Sequence, residues 1–270
     1  MDYIIPIAIF VVLGVVAGLL LSIASKKLAV EVDERVGEVR EVLPGANCGA
    51  CGYNGCDEYA AALIEKDEKI SLCKPGGVDT MNQIGEILGA EAVEIEKEVA
   101  FVQCNGVASA TTDKYEYKGT QTCAACNSLF SGKGSCSFGC LGFGDCTNVC
   151  EFDAIHVVDG VAKVDEEKCT ACGACVKACP KLIINIRPLN KDVTVLCKNK
   201  DKGGITRKAC TNGCIGCMKC QKTCQHGAIT VKNNVASIDY SKCTRCGECV
   251  EACPVKCIHL QTKTDNIAIA

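Results

Sequence analysis

The chain has 270 residues, of which 26 are cysteine and none is tryptophan, and its formal net charge is −3 at pH 7. Such a high cysteine content is typical of a disulfide scaffold or of a protein rich in bound metal, and the small negative charge argues against a nucleic-acid-binding surface. Aromatic residues make up only 4% of the chain, which favours several small domains, stabilised by disulfides or metals, over one large core.

The first element is an apolar segment. Residues 3–24 read YIIPIAIFVVLGVVAGLLLSIA and contain no charge, which is long enough to cross a hydrocarbon layer of about 30 Å. A cleaved signal peptide is the alternative, but no Lys or Arg precedes the segment and Lys26 and Lys27 follow it. We therefore expect a single-pass transmembrane anchor over 1–27 in the cytoplasmic membrane, in contact with membrane lipid. Because basic residues stay on the cytoplasmic side, the N-terminus is expected outside and the cysteine-rich domains in the cytoplasm.

This orientation bears on the role of the cysteines. The cytoplasm keeps thiols reduced, so cysteines in a cytoplasmic domain are expected to bind metal and not to form disulfides. Their arrangement in short runs with fixed intervals agrees with this interpretation. A [4Fe–4S] cluster on four thiolates carries about two negative charges, so six clusters would bring the loaded chain to roughly −15.

Residues 28–100 are interpreted as a linker followed by an N-terminal cluster domain. Residues 28–43 alternate charged residues with Val and Leu, which predicts a solvated connector or a short amphipathic helix. A glycine-rich loop, a helix over about 57–67 and a further helical piece over 76–100 are expected next. The loop and the chain after it contain Cys48, Cys51, Cys56 and Cys73 with the spacing C-x₂-C-x₄-C-x₁₆-C. We predict a [4Fe–4S] cluster here, because zinc sites usually consist of two paired CxxC knuckles.

The rest of the chain contains a repeat with a period of 74 residues. The first copy has Cys136, Cys140, Cys146, Cys150, Cys169, Cys172, Cys175 and Cys179, and the second has Cys210, Cys214, Cys220, Cys224, Cys243, Cys246, Cys249 and Cys253. Similarity at a fixed period indicates duplicated structural units. We place the first unit, which carries an insertion, at 101–196 and the second at 197–270.

Each unit resembles the bacterial two-cluster ferredoxin. The runs that start at Cys169 and Cys243 both read C-x₂-C-x₂-C-x₃-C-P. In that motif three cysteines hold one cluster, and the fourth binds the neighbouring cluster. The resemblance implies clusters on Cys150, Cys169, Cys172 and Cys175, on Cys224, Cys243, Cys246 and Cys249, and on Cys214, Cys217, Cys220 and Cys253.

The remaining cluster of the first unit departs from the motif, because Phe143 stands where the second unit has Cys217. Cys136 is the nearest replacement along the chain. The expected ligands are therefore Cys136, Cys140, Cys146 and Cys179, with the looser spacing C-x₃-C-x₅-C. The sequence thus predicts five clusters in all.

Six cysteines are left over, namely Cys104, Cys123, Cys126, Cys197, Cys210 and Cys257. If the two units pack side by side, a sixth cluster can form on Cys104, Cys123, Cys197 and Cys210, with Cys126 as an alternative to Cys123. The competing interpretation is that all six are small core residues, and Cys257 is expected to be a buried free thiol. We expect no catalytic residue, and we interpret His156, His226 and His259 as structural.

The order of these parts resembles the B subunit of the ion-translocating ferredoxin:NAD⁺ oxidoreductase, the Rnf complex. The duplicated cluster region and the additional block over 115–142 resemble the longer form found in anaerobic bacteria. The resemblance implies an α+β fold of small metal-stabilised domains: a transmembrane helix, a [4Fe–4S] loop–helix domain and two tandem ferredoxin-like units. It also implies an electron-transfer subunit that accepts electrons from reduced ferredoxin. Other Rnf membrane and flavin subunits would receive them for NAD⁺ reduction coupled to Na⁺ or H⁺ translocation.

Two other functions remain open at this stage. One is a membrane-anchored polyferredoxin of another reductase or hydrogenase, and the other is a non-redox cysteine-rich metal-binding protein. A basic stretch between the two units is a further hypothesis, as part of the ferredoxin entry site or as a solvated linker. It contains Lys198, Lys200, Lys202, Arg207 and Lys208.

Overall fold

The structure is a computed structural model that describes residues 4–27, 33–90 and 96–260. The N-terminal part contains the helices α1 (Ile4–Lys27), α2 (Glu34–Val42), α3 (Cys56–Glu65) and α4 (Gly77–Leu88), with a 3₁₀ turn over Ile70–Leu72. The predictions for 1–3, 28–32, 91–95 and 261–270 lie outside the described residues.

The predicted anchor is helical over most of its length, because α1 runs for 24 residues. Across the three described ranges, no helix combines the length and apolarity that a membrane crossing requires. The transmembrane anchor over 1–27 therefore stays a prediction.

The helices α2, α3 and α4 form a small N-terminal domain. Its core contains Val39, Tyr59, Leu63 and Ile84. Of the two interpretations of residues 28–43, the short helix is the one observed over Glu34–Val42. Asp33 caps α2 by accepting a hydrogen bond from the backbone N–H of Arg35, and α2 then buries Val39 completely. Residues 34–42 are thus part of the domain and not a free connector.

The first ferredoxin-like unit contains β1 (Glu98–Val102), α5 (Cys123–Ser128), α6 (Asp145–Asn148), β2 (Ile155–Val158), β3 (Val161–Val164), α7 (Ala174–Ala178) and β4 (Ile184–Pro188). The second contains β5 (Val193–Val195), α8 (Gly203–Ala209), α9 (Lys219–Thr223), β6 (Ile229–Lys232), β7 (Val235–Ile238), α10 (Glu248–Glu251) and β8 (Ile258–Leu260). This mixed helix and strand architecture confirms the general α+β class.

Both units have the same sheet topology. The first and last strands of each unit pair antiparallel, β1 with β4 and β5 with β8, and the two middle strands form a hairpin, β2 with β3 and β6 with β7. In register, Ala100 lies opposite Ile186 and Thr194 lies opposite His259. The first strands, β1 and β5, begin a few residues before the predicted boundaries at 101 and 197 and pair with the last strands, β4 and β8.

The repeat extends to a tight backbone contact in each unit. Gly142 has a φ of 75°, and a Cβ there would lie 2.9 Å from the carbonyl oxygen of Gly160. Gly216, 74 residues later, has a φ of 67°, and a Cβ there would lie 3.0 Å from Asn234. Only glycine meets both demands, the left-handed backbone and the close approach of the hairpin turn.

A buried guanidinium fixes the connection between the two units. The Arg187 side chain is fully buried and forms an ion pair with Glu166, which is 15% exposed. Its Nη1 also donates hydrogen bonds to the carbonyl oxygens of Pro188, Leu189 and Lys191, at 3.1, 3.2 and 3.0 Å. The segment that joins β4 to the second unit is thus held by hydrogen bonds to the charged Arg187 side chain.

We expect Glu166→Gln to lower the thermal unfolding midpoint, because it removes the carboxylate charge that pairs with the buried Arg187 guanidinium, at a cost of roughly 3 kcal/mol. The measurement is an anaerobic melt followed by far-UV circular dichroism. The matched control is Asp33→Asn, which removes the charge from an exposed pair with Arg35 and keeps a capping residue. Equal decreases in the unfolding midpoint for both variants would show that the buried pair contributes no more to stability than the exposed pair.

Candidate metal centres

The N-terminal domain brings its four predicted ligands together. They are Cys48, Cys51, Cys56 and Cys73, and all four are half-buried. The backbone N–H of Cys56, at the start of α3, donates to Asn47 Oδ1 at 2.8 Å, which fixes the loop against the helix. Burial raises the pKa of the Cys73 thiol, and the negative charges of the other three thiolates raise it further. Four thiolates at one place would repel one another, and a cationic iron–sulfur core would offset that repulsion.

The first ferredoxin-like unit has a cysteine-lined cavity beside β2. Its walls include Cys150, Cys169, Cys172 and Cys175, the set implied by the ferredoxin resemblance. Backbone amides donate to two of these sulfurs: Ala100 N–H to Cys169 Sγ and Ala154 N–H to Cys150 Sγ, both at 3.4 Å. Burial and then the neighbouring thiolates raise the pKa of Cys175 to about 12.

The second unit has the equivalent cavity. Its walls include Cys224, Cys243, Cys246 and Cys249. Burial and the neighbouring thiolates raise the pKa of Cys249 to about 11. Cys246 is exposed, so this site reaches the surface of the protein.

The other predicted site of the second unit contains Cys214, Cys217, Cys220 and Cys253. Burial raises the pKa of Cys220 to about 11, with the negative charges of the other three thiolates among the further causes, so the structure brings this set together. Cys217 is exposed and Cys257 is buried. Cys257 Sγ lies 3.7 Å from Cys253 Sγ, and the hydrogen bond between the two thiols lowers the pKa of Cys253. The leftover Cys257 therefore contacts one predicted ligand.

The remaining cavity of the first unit differs from the expected set. It is lined by Cys123, Cys140, Cys146 and Cys179, so Cys123 stands where Cys136 was predicted. Burial and then the negative charges of the other three thiolates raise the pKa of Cys146 to about 12. The signal for Cys123 in the sequence was the missing ligand at Phe143, but the sequence does not show which distant cysteine replaces it.

Cys136 lies instead in a larger cavity of about 330 Å³ between the two units. The same cavity is lined by Cys104, Cys140, Cys197 and Cys210. The structure therefore brings together three of the four residues predicted for a sixth cluster and exchanges Cys123 for Cys136. The other alternative, Cys126, is fully buried in an apolar cluster with Leu141.

Neighbouring sites lie close to one another. Burial raises the pKa of Cys172 in the first unit, and the negative charge of Cys48 in the N-terminal domain raises it further. The two domains are also joined by an ion pair of 2.8 Å between Lys74 Nζ and Glu98 Oε2. The N-terminal site is thus adjacent to the first-unit site that contains Cys172.

These residues fit [4Fe–4S] clusters. Their side chains supply thiols alone, and several sulfurs accept backbone N–H groups, which is the environment of such clusters in proteins. Within the described ranges, no group of three or more His, Cys, Asp and Glu side chains is arranged to hold a single metal ion.

Family models support the same chemistry. Residues 43–75 match a putative Fe-S cluster family, residues 162–185 a 4Fe-4S binding domain and residues 213–259 a 4Fe-4S dicluster domain. The first match covers the N-terminal site, and the other two cover parts of both units.

Curated relatives extend over nearly the whole chain. The chain is 46% identical over 255 residues to the B subunit of the Na⁺-translocating ferredoxin:NAD⁺ oxidoreductase complex of Acetobacterium woodii, covering 94% of this chain and 77% of that protein. It is 41% identical to the B subunit of the ion-translocating oxidoreductase complex of Methanosarcina acetivorans, covering 94% and 97%. The chain belongs to this family of B subunits. The B subunit of the proton-translocating ferredoxin:NAD⁺ oxidoreductase complex of Clostridium ljungdahlii is 40% identical, covering 98% and 97%. Membership of this family confirms the resemblance seen in the sequence.

We expect Cys179→Ala to remove about four iron atoms per chain, one cluster, and to expose Cys140 and Cys146 to alkylation. The reason is that Cys179 lines the same cavity as Cys140 and Cys146, although it is the next cysteine after Cys175 in the motif. The measurement is iron analysis with peptide mass spectrometry after anaerobic iodoacetamide treatment. The Cys126→Ala variant is the matched control, and its iron content per chain should equal that of the wild-type protein. New labelling at Cys169 and Cys175 instead would contradict the crossed arrangement.

Proposed function

We propose that the chain accepts electrons from reduced ferredoxin and passes them through a series of [4Fe–4S] clusters. The electrons would then pass to the membrane and flavin subunits of an ion-translocating ferredoxin:NAD⁺ oxidoreductase complex. The observation that carries this proposal is the run of adjacent thiol sites through the N-terminal domain and both ferredoxin-like units. The printed names of the relatives describe the same kind of complex.

We assign four clusters to the sets that the sequence predicted. They are Cys48, Cys51, Cys56 and Cys73; Cys150, Cys169, Cys172 and Cys175; Cys224, Cys243, Cys246 and Cys249; and Cys214, Cys217, Cys220 and Cys253. A fifth includes Cys140, Cys146 and Cys179. When bound, each cluster takes up and releases one electron.

The protein's own groups prepare these sites for electron transfer. The cysteine thiolates would hold each cluster in place, and most of these cysteines are buried or half-buried, which would limit contact of the cluster with water. Backbone amides such as that of Ala100, which donates to Cys169 Sγ at 3.4 Å, stabilise negative charge on the sulfur. Such hydrogen bonds and burial set the reduction potential of a cluster.

The exposure of the sites suggests a direction for electron flow. Both sites of the second unit have an exposed ligand, Cys217 in one and Cys246 in the other. The N-terminal domain follows α1 in the chain, and its Cys48 lies close to Cys172 of the first unit. We therefore place electron entry at the second unit and exit at the N-terminal domain.

The proposal is tested by mixing the anaerobically purified full chain with reduced ferredoxin in a stopped-flow instrument. The expected result is rapid loss of visible cluster absorbance in the chain, with the EPR signal of reduced [4Fe–4S] clusters in frozen samples. A chain that contains iron but is not reduced by ferredoxin would favour a relay for another donor. A chain that contains zinc in place of iron would contradict the relay.

The basic stretch between the units is our proposal for the surface that guides ferredoxin. Lys200, Lys202 and Arg207 are exposed on and before α8, whereas Lys198 Nζ donates to the carbonyl oxygen of Leu182. Two acidic proteins repel each other within a Debye length of about 8–10 Å, so a local basic patch is needed for encounter.

Reversing the charge of this patch, with Lys200→Glu, Lys202→Glu and Arg207→Glu, should slow reduction by ferredoxin, most clearly at low salt, with unchanged iron content. The matched control reverses Lys66, Lys69 and Lys118, which are also exposed, and so has the same net charge. If both triple variants are slowed equally, only net charge matters and the patch is not the docking surface.

We infer that residues 1–27 anchor the chain to the cytoplasmic membrane. At 1.5 Å per residue, the 24 residues of α1 are about 36 Å long, which exceeds a hydrocarbon layer of about 30 Å. Lys26 and Lys27 support an orientation with the cluster domains in the cytoplasm.

The anchor is tested by alkaline carbonate extraction of membranes that contain either the full chain or residues 28–270. The full chain should stay in the pellet and the shortened chain should be released. Release of both would contradict the anchor. A reporter enzyme fused after Ala270 should be active only if it is one that works in the cytoplasm. Activity of a reporter that works only outside the cytoplasmic membrane would contradict the proposed orientation.

A further inference from the structure

The cavity between the two ferredoxin-like units has sulfur atoms from both of them. Cys104 and Cys136 come from the first unit, and Cys197 and Cys210 from the second. A Cβ on Gly106 would lie 3.4 Å from Cys104 Sγ and 3.8 Å from Cys210 Sγ. Sulfurs of different units therefore lie no more than about 7 Å apart. The matched family domains cover residues 43–75, 162–185 and 213–259, and they include none of these four cysteines.

The two pairs of cysteines occupy equivalent places in the repeat. Cys104 lies two residues after the end of β1 and Cys197 two residues after the end of β5. The backbone N–H of Cys140 donates to Cys104 Sγ at 3.4 Å, and that of Cys214 donates to Cys197 Sγ at 3.2 Å. Since Cys140 and Cys214 are related by the 74-residue period, the same contact occurs in both units. Each unit thus contributes an equivalent half of one site.

Three of the four sulfurs at this place accept N–H hydrogen bonds. Besides the contacts from Cys140 and Cys214, Gly106 N–H donates to Cys104 Sγ at 3.4 Å. Asn199 Nδ2, from the second unit, donates across the interface to Cys136 Sγ at 3.5 Å. N–H donors around the sulfurs are characteristic of iron–sulfur ligands and not of thiols in an apolar core.

Hydrogen bonds also hold the two halves in a fixed relation. Thr211 N–H donates to the carbonyl oxygen of Ala110 at 2.9 Å, and Asn212 Nδ2 donates to the carbonyl oxygen of Asn105 at 2.9 Å. Thr111 Oγ1 donates to the carbonyl oxygen of Ala209 at 2.8 Å. The segments that carry the four cysteines are therefore fastened to each other.

An insertion explains why Cys136 is free for this site. Between Cys104 and Cys136 there are 31 residues, whereas between Cys197 and Cys210 there are 12, so the first unit carries 19 additional residues. They include Cys123, whose backbone N–H donates to Asp145 Oδ1 at 2.7 Å. Phe143, the residue at the position of the missing ligand, packs against the buried cluster that contains Cys123. The insertion thus brings a replacement thiol to the place of Cys217.

The geometry points to a sixth [4Fe–4S] cluster at the interface of the two units, bound by Cys104, Cys136, Cys197 and Cys210, with Cys123 as the fourth ligand of the cluster on Cys140, Cys146 and Cys179. The ligand assignment rests on these contacts alone, and only its purpose rests on the proposed function. The Cys140 thiol belongs to one site of the first unit, while its backbone N–H donates to Cys104 Sγ of the interface site. In the second unit, the Cys214 thiol belongs to one site and its backbone N–H donates to Cys197 Sγ. The interface cluster would therefore connect the cluster pairs of the two units for electron transfer.

The test compares Cys136→Ala and Cys123→Ala in the anaerobically purified full chain. Native protein is alkylated with iodoacetamide, then stripped of iron, unfolded and treated with a second alkylating agent, so peptide mass spectrometry shows which thiols were unprotected. Cys136→Ala should lose about four iron atoms and expose Cys104, Cys197 and Cys210. Cys123→Ala should lose the same amount and expose Cys140, Cys146 and Cys179.

The opposite pattern, in which Cys136→Ala exposes Cys140, Cys146 and Cys179, would overturn the assignment. Unchanged iron in Cys136→Ala would also overturn it. If either variant fails to fold, an iron anomalous map of the wild-type holoprotein decides, because iron bonded to Cys136 Sγ and Cys210 Sγ is expected in the interface cavity and its absence there contradicts the site.

These readouts do not involve ferredoxin, so they separate this inference from the proposed function. If the wild-type chain has the interface cluster but is not reduced by ferredoxin, only the proposed donor is wrong. If ferredoxin reduces the chain and Cys136→Ala shows wild-type iron and labelling, only the interface cluster is wrong.

Discussion

Many cysteine thiols lie side by side in the interior, where ionising them costs free energy, and this cost is the constraint on which the structure depends. The core of the first unit contains Cys146, Cys169 and Cys175 beside apolar residues such as Ile155 and Ile184. Burial and neighbouring thiolates raise the pKa of Cys146 and Cys175 to about 12, so without metal these thiols remain protonated at neutral pH. Iron binds the deprotonated form, and the energy of that binding becomes folding energy. The sparse aromatic content of the chain is consistent with cores organised around clusters instead of large side chains.

The pairing of the two units has a structural consequence. In a single two-cluster ferredoxin-like unit, the crossed fourth ligand connects two clusters. In this chain, Cys104 and Cys136 present an additional half-site, which the equivalent cysteines of the second unit complete. The bonds that fasten the halves, such as Asn212 Nδ2 to the Asn105 carbonyl oxygen at 2.9 Å, and the buried Arg187 at the connection hold the units in one relation. A relay between the units needs such a fixed separation, whereas a flexible linker would vary it.

The sequence predicted the features that depend on local pattern. The 74-residue period predicted two similar units, and both have the same pairs of strands. The ferredoxin runs predicted the cysteine sets around Cys150 and Cys224, and the cavities contain those sets. The strands β1 and β5, which begin before the predicted boundaries at 101 and 197, show no local pattern, because they are recognised only through pairing with strands about 65 to 90 residues later.

The exchange of Cys123 and Cys136 was not predictable for a related reason. Proximity along the chain favours Cys136 as the replacement for the ligand missing at Phe143. The path of the insertion is set by tertiary contacts, in which the Asp145 carboxylate accepts the N–H groups of Cys123 and Ala124 at 2.7 and 3.0 Å. No spacing rule contains that contact. Pattern therefore identifies how many thiols are available, and three-dimensional packing decides how they are divided among the sites.

The central claim is that one chain holds a continuous series of redox-active clusters. The most direct test is a counted reductive titration of the anaerobically purified full chain, with EPR spectra recorded at each step and metal analysis of the same sample. We predict about 24 iron atoms and uptake of roughly six electrons per chain, one for each [4Fe–4S] cluster, with spectra broadened by magnetic interaction between neighbouring reduced clusters. A chain that takes up no electrons, or that holds zinc at these cysteines, would contradict the account.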